Sequence, residues 1–105
     1  MVIVETPIFT TQVKALLSDE QYRLLQLDLV ARPDAGKVIS GSGGLRKIRW
    51  SLPGRGKRGG VRIIYYWFVS EERILMLVVY SKTERDDLTP QQVRLLKKIV
   101  KEEFS

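Results

Sequence analysis

The residues of this sequence that could do chemistry are concentrated in one short basic stretch. Seven Lys and Arg side chains and no acidic residue lie between Arg46 and Arg62. The whole chain of 105 residues carries 18 Lys and Arg against 12 Asp and Glu, so the charges nearly balance outside this stretch. Localised positive charge attracts polyanions by electrostatic steering and by the release of counterions. The pattern indicates a polyanion-binding surface; the alternative is a solvated basic hairpin that only keeps the protein in solution.

The same sequence excludes several kinds of catalytic site. It has no His and no Cys, and therefore no disulfide, no thiol nucleophile, no imidazole base and none of the usual zinc ligands. The acidic residues are scattered without the spacing of a metal site, so we expect neither a metal nor a cofactor. The glycine-rich segment Pro53–Gly60 does not fit the P-loop, because Lys57 is followed by Arg58. It does not fit the dinucleotide-binding motif either, because a strand follows it.

No segment has the pattern typical of a membrane or secreted protein. The apolar run Val61–Val69 is shorter than the roughly 20 residues of a membrane-spanning helix and contains Arg62. The N-terminus lacks the basic start and the long apolar stretch of a signal peptide. We therefore expect a cytoplasmic protein with no membrane partner.

Hydrophobic spacing and turn residues predict an α+β fold, with a single domain over residues 1–105. The predicted elements follow the order β-α-α-β-β-β-α, over Val2–Glu5, Ile8–Leu17, Asp19–Ala31, Leu45–Leu52, Val61–Val69, Ile74–Ser81 and Pro90–Phe104. Ser18 and Thr89 have the capping pattern of helix starts. The glycines of Asp34–Gly44 and Pro53–Gly60 predict loops. We expect a small, largely antiparallel sheet with the helical hairpin and the C-terminal helix on one face, which leaves the other face free for a ligand.

The basic side chains of this predicted sheet fall on one side of it. Strand alternation puts Lys47 and Arg49 on the same face, and Arg62 pairs near them if the hairpin is about symmetric. Further members of the surface are Tyr80 and Lys82 on the next strand, and Arg55, Lys57 and Arg58 on the glycine-rich connection. For each residue alone, a solvated sheet face is the simpler interpretation. Like charges directly opposite each other destabilise a sheet, so the set as a whole favours a bound phosphodiester.

Four aromatic residues near the basic stretch are candidates for stacking on nucleic-acid bases. We expect Trp50, Tyr65 and Trp67 to belong to the core instead. Tyr66 lies on the same side of its strand as Arg62 and stays a candidate for base contact.

The sequence resembles the RelE/HigB-type toxins of bacterial toxin–antitoxin systems, most closely the HigB branch. The segments that carry the resemblance are Gly44–Arg49, Gly56–Gly60, Arg62–Tyr66, Tyr80–Glu84 and Asp87–Thr89. The resemblance implies a RelE-like fold and a metal-independent, ribosome-dependent mRNA endonuclease of a type II system. In such enzymes the ribose 2′-hydroxyl attacks the adjacent phosphate. The implied partners are the ribosome, its mRNA and a cognate antitoxin that is HigA-like with a helix-turn-helix, and we expect the free toxin to be monomeric.

The resemblance also implies roles for individual residues. Lys47, Arg49 and Arg62 match basic active-site positions, with Arg62 at the scissile phosphate, and Lys82 falls where the family places further catalytic groups. Thr83 stands where some members have a second arginine, and no late His or aligned catalytic Tyr is present. Neighbouring cations disfavour the charged form of a lysine, so Lys47 is the candidate general base; Lys57 or Lys82 is the candidate acid. The implied RNA- or ribosome-binding residues are Arg46, Arg55, Lys57, Arg58, Tyr66 and Tyr80.

Two alternatives use the same residues. The first is a non-catalytic RNA- or DNA-binding module, and the second is an inactive toxin homologue that only binds its antitoxin. Replacement of Arg62 by Lys separates the nuclease from the binding module, because only arginine offers bidentate contact to a phosphate.

Overall fold

The computed structural model describes residues 1–51, 60–83 and 87–104. Its strands are β1 (Val2–Glu5), β2 (Lys37–Val38), β3 (Arg46–Trp50), β4 (Val61–Phe68) and β5 (Arg73–Ser81). Its helices are α1 (Pro7–Leu16), α2 (Asp19–Ala31) and α3 (Pro90–Phe104), with one 3-10 turn at Val69–Glu71. The α+β fold class is confirmed, with one strand more than predicted. The predicted end of the strand Leu45–Leu52 and most of the connection Pro53–Gly60 lie outside the described residues.

The five strands form one sheet in the order β1-β5-β4-β3-β2. β1 pairs with β5 in parallel, and the other three pairings are antiparallel. The additional strand, β2, lies in the segment predicted to be loop, where Lys37 and Val38 pair with Lys47 and Arg46. The Ile39 amide donates to the Leu45 carbonyl at 2.8 Å, and a further backbone hydrogen bond within the loop closes the turn. The glycines therefore make a tight hairpin rather than an open loop.

The helix starts follow from local capping chemistry, as predicted. At α2 the Ser18 amide donates to Gln21 Oε1, 2.8 Å, and the Gln21 amide donates to Ser18 Oγ, 3.1 Å. Thr89 and Gln92 make the same reciprocal pair at α3, at 2.8 and 3.1 Å. α1 begins one residue earlier than predicted because Thr6 Oγ1 accepts from the Phe9 amide. Across the described ranges, no helix combines the length and apolar character needed to cross a membrane.

Helices cover both faces of the sheet, which corrects the prediction that all three lie on one. Alternate residues of β4 belong to two separate apolar clusters: Ile63 and Tyr65 to the first, Ile64 to the second. The first cluster takes Phe9 of α1 and Leu25 of α2, and the second takes residues of α3 such as Leu96. The physical reason is that β4 and β5 are apolar on both sides, so both sides need a cover.

Tyr65 fixes the segment that leads into β2. Its ring is fully buried, its hydroxyl donates to the Pro33 carbonyl at 2.7 Å, and it accepts from the Gly36 amide at 2.8 Å. Burial raises the pKa of this hydroxyl. Trp50 and Trp67 pack against the same first cluster. The prediction that these three aromatic residues belong to the core is confirmed.

Candidate active site

Three cations come together on the face of the sheet that α3 partly covers. In the register of the β3–β4 hairpin, Arg49 lies directly opposite Arg62. Lys47 is two residues from Arg49 on the same strand, so both side chains leave the sheet on one side. The intervening Ile48 packs against the first cluster, on the other face. The expected symmetry of the hairpin is therefore confirmed, and Lys47, Arg49 and Arg62 are called the basic cluster below.

Arg62 is the most buried member of the basic cluster. It is only 5% exposed, and it lies between Arg49 of β3 and Tyr80 of β5 in the sheet register. Within residues 1–51, 60–83 and 87–104, its Nε–H finds no hydrogen-bond acceptor. A buried donor without an acceptor costs about 1–3 kcal/mol, and a phosphate oxygen is a preferred acceptor of arginine. The fold thus holds a buried cation that has a hydrogen bond left to make within the described residues.

Asp87 supplies an acidic group to the basic cluster. Its carboxylate Oδ1 accepts a hydrogen bond from the Nζ of Lys47. This hydrogen bond and the charge of Lys47, with smaller contributions from Arg49 and Arg62, hold the pKa of Asp87 below its usual value. The side chain of Asp87 is 76% exposed, so this ion pair lies at the surface, where such pairs contribute little free energy. Sequence reasoning did not assign Asp87 a role, although it lies in one of the segments that carry the family resemblance.

The chemistry available to this arrangement is the binding and polarisation of a phosphodiester. Two guanidinium groups on paired strands can bind the same phosphate and stabilise the additional negative charge of a pentacovalent intermediate. Arginine keeps its proton in proteins, so its contribution is electrostatic. The amino group of Lys47 is then the group of the basic cluster that can exchange a proton.

Two further predicted site residues follow on β5 and immediately after it. Tyr80 lies opposite Arg62 in the sheet register, belongs to the second cluster and is only 4% exposed. β5 ends at Ser81, so Lys82 lies in the turn beyond the strand, with its side chain exposed. The Lys82 amide donates to the Gly60 carbonyl at 3.3 Å, which keeps this turn next to the start of β4. Lys82 is thereby placed near the end of the sheet at which Arg62 lies.

The remaining predicted binding residues divide between the two faces. Arg46 lies on the opposite face from the basic cluster, where its guanidinium donates to the carbonyl oxygens of Asp34 and Gly36 at 3.2 and 2.8 Å. It also lies over the Trp67 ring, 5.9 Å from the ring centre. Tyr66 is on the face of the basic cluster but packs against the second apolar cluster. The predicted binding residues Arg55, Lys57 and Arg58 lie outside the described residues.

Comparison with known proteins gives a family match over most of the chain. A family model described as the RelE toxin of the RelE/RelB toxin–antitoxin system matches residues 14–105. The resemblance found in the sequence is confirmed at the level of RelE, while the closeness to the HigB branch stays a prediction.

Solved Escherichia coli structures share the fold. A mutant of the toxin RelE in the free state matches with a TM-score of 0.60 and 16% identity, over 81% of this chain and 86% of that one. The intact RelBE toxin–antitoxin complex matches with a TM-score of 0.58 and 18% identity, over 76% of this chain and 94% of that one. The isolated RelE toxin matches with a TM-score of 0.57 and 16% identity, over 93% of this chain and 97% of that one. These identities show the fold alone, whereas the family model spans most of the sequence. The chain therefore belongs to the RelE family of toxins from toxin–antitoxin systems.

Proposed function

We propose that this chain is a ribosome-dependent mRNA endonuclease that inhibits translation. The observation that carries the proposal is the buried Arg62, whose Nε–H has no acceptor within the described parts of the chain and which lies directly opposite Arg49. Two facing guanidinium groups destabilise the free sheet, and a phosphodiester between them would relieve both the repulsion and the missing hydrogen bond. RNA is the phosphodiester whose own 2′-hydroxyl supplies a nucleophile, so the chain need not provide one.

The proposed reaction is a transfer of the phosphate within the RNA strand. Lys47, as the uncharged amine, accepts the proton of the 2′-hydroxyl, whose oxygen forms a bond to the adjacent phosphorus. Arg62 and Arg49 stabilise the negative charge that develops on the phosphate oxygens. The bond from phosphorus to the 5′-oxygen breaks, and Lys82 donates a proton to that oxygen. The products are a 2′,3′-cyclic phosphate and a 5′-hydroxyl, so atoms and charge balance without a co-reactant.

Asp87 has a defined part in this proposal. In the free chain its carboxylate accepts a hydrogen bond from the amino group of Lys47. An incoming phosphate carries the same negative charge and binds the same cations, so substrate binding exchanges one anion for another. The exchange leaves Lys47 directed at the RNA rather than at its own chain.

The proposed protein partner is a cognate antitoxin. The support is the fold shared with the toxin of the Escherichia coli RelBE toxin–antitoxin complex and the family match. The HigA-like character of the antitoxin, the monomeric state of the free toxin and its cytoplasmic location remain predictions. An antitoxin segment that covers the basic cluster should be acidic, because its carboxylates would bind the cations that otherwise bind phosphate.

Primer extension on an mRNA in a purified translation mixture tests the proposed activity. Wild-type protein should give cuts inside the reading frame with ribosomes present and none without them. Arg62→Lys keeps the charge but loses the bidentate contact, so it should abolish most of the cutting. Intact mRNA in the presence of folded wild-type protein would contradict the proposal and favour the binding module or the inactive homologue. Equal cutting with and without ribosomes would retain the nuclease and exclude the ribosome as a requirement.

A further inference from the structure

A groove leads away from the basic cluster along α3. It consists of three adjoining cavities that share lining residues. The first contains Lys37, Lys47 and Asp87, and it shares Ile39 and Leu88 with the second. The second shares Lys97 with the third, which reaches Tyr66 and Lys101. We infer that this groove binds the single-stranded RNA next to the cleaved phosphate; the inference rests on the proposed function because it takes RNA as the substrate.

The charge of the groove fits a polyanion. Its basic lining residues are Lys37, Lys47, Arg94, Lys97 and Lys101, and the single acidic side chain that lines it within the described ranges is Asp87. Asp87 already pairs with Lys47, and the other cations that line the groove meet no acidic lining residue in the described parts of the chain. A continuous positive groove is the feature with which proteins track the backbone of single strands.

The helix periodicity places three of these cations in one row. Arg94, Lys97 and Lys101 are three and four residues apart, which puts them on the same side of α3 and spreads them over roughly 10 Å at about 1.5 Å per residue. Leu96 anchors α3 to the sheet through the second apolar cluster, so the row keeps a fixed position relative to the basic cluster. Lys98 is also four residues from Arg94 and three from Lys101, but it is turned about 100° from Lys97 around the helix and does not line any of the three cavities.

The other wall of the groove is formed by the hairpin between β2 and β3. Gly41 and Gly43 line it in left-handed conformations, with φ of 71° and 74°. They carry no side chains, so a phosphate can approach this backbone closely. Ser42 is buried, and its hydroxyl donates to the Ile39 carbonyl. None of the residues of this wall that line the groove is acidic.

An aromatic side chain at the far end favours RNA over an acidic peptide. Tyr66 lines the third cavity together with Lys97 and Lys101. Cations beside an aromatic ring are the combination that binds phosphates and stacks bases in single-strand binders. The groove also begins at the candidate site of cleavage, so one RNA strand can occupy both. An acidic peptide would use the cations but gain little from the ring.

Length-dependent binding tests the inference. Fluorescence anisotropy would measure the affinity for labelled 2′-O-methyl RNA, which cannot be cleaved, in lengths of about 4 and about 12 nucleotides. The double variant Lys97→Gln/Lys101→Gln should weaken binding of the long strand by about two- to thirtyfold, the range for two exposed ion pairs. It should also reduce the slope of log affinity against log salt by about 1.4, or about 0.7 per lost contact. Binding of the short strand should not change.

Lys98→Gln is the matched control, since it removes one of the same charges from the same helix outside the groove. The inference is overturned if Lys98→Gln weakens long-strand binding as much per charge as the double variant does. It is also overturned if the short strand loses affinity equally, or if the double variant loses affinity only for an acidic Glu-rich peptide. Length-dependent RNA binding without cleavage in the translation assay would keep the groove and reject the nuclease proposal. Cleavage of mRNA by the wild type, together with long-strand binding that the double variant leaves unchanged, would keep the nuclease proposal and reject the groove.

Discussion

Replacement of Arg62 by Met should make the protein more stable and inactive. Arg62 is 5% exposed, with an Nε–H that lacks an acceptor in the described ranges, and it faces Arg49 across the β3–β4 pair. Methionine is unbranched and of similar length, so it can retain the packing of the aliphatic part of the side chain. The substitution removes a charge that the free protein holds at a cost, and with it the group proposed to bind the scissile phosphate.

The size of the effect follows from two contributions. A buried donor without an acceptor costs about 1–3 kcal/mol, and a directly opposed pair of like charges costs about 0.2–1 kcal/mol. Arg62→Met removes both, so the free energy of unfolding should rise by about 1–4 kcal/mol. For a domain of this size, each kcal/mol raises Tm by roughly 4–8 °C. Arg49→Met removes only the repulsion, because Arg49 is exposed, and should gain no more than about 1 kcal/mol.

Urea unfolding at low and high salt measures both contributions. The gain from Arg49→Met should shrink in about 1 M salt, because salt screens charges that are exposed to solvent. Most of the gain from Arg62→Met should persist, because the missing hydrogen bond does not depend on ionic strength. Primer extension on ribosomes should show loss of cutting for both variants. A fall in the free energy of unfolding for Arg62→Met would refute the reasoning, since it would mean that the native fold satisfies this guanidinium.

Two further predictions concern Asp87 and Tyr22. Asp87→Asn should tighten binding of uncleavable RNA by about two- to fivefold, because it removes the carboxylate that competes for Lys47; Asp28→Asn on α2 changes the net charge equally and should have no such effect in the same anisotropy assay. Burial and a hydrogen bond to Glu5 raise the pKa of the Tyr22 hydroxyl, so its contribution to stability is present below about pH 10 and is lost as the pH rises further. Urea unfolding between about pH 8 and pH 11 should therefore show that the free energy of unfolding falls more steeply with rising pH for wild type than for Tyr22→Phe. Equal pH dependence of the two proteins would contradict this assignment.

The sequence predicted best those features that depend on neighbouring residues. The helix starts at Ser18 and Thr89 are set by side chains three residues apart, and a strand face is set by simple alternation, which placed Lys47 with Arg49. The pairing of Arg49 with Arg62 followed from the symmetry of one hairpin. Each of these inferences needs only local geometry.

Features that depend on distant residues could not be predicted in the same way. Asp87 lies 40 residues from Lys47 in the sequence, and nothing in its local pattern distinguishes it from a solvated acid. The position of α3 on the second face required knowing that both sides of β4 are buried. Arg46, within the same basic stretch, has its guanidinium on the other face, bound to backbone carbonyls. Charge density along the chain therefore located the site but did not separate its members from their neighbours.

The same sequence pattern that holds α3 in place also explains why the candidate site is where it is. Along β4, the face that α3 covers carries Ile64 and Tyr66 toward one end and Arg62 at the other. Apolar packing holds the helix against Ile64 and Tyr66 and against Tyr80 of β5. Arg62 lies opposite Tyr80 and is only 5% exposed, so the fold buries this cation although an unpaired buried charge is costly. The apolar residues of this face therefore account for the position of α3, and a bound anion would account for the buried cation beside them.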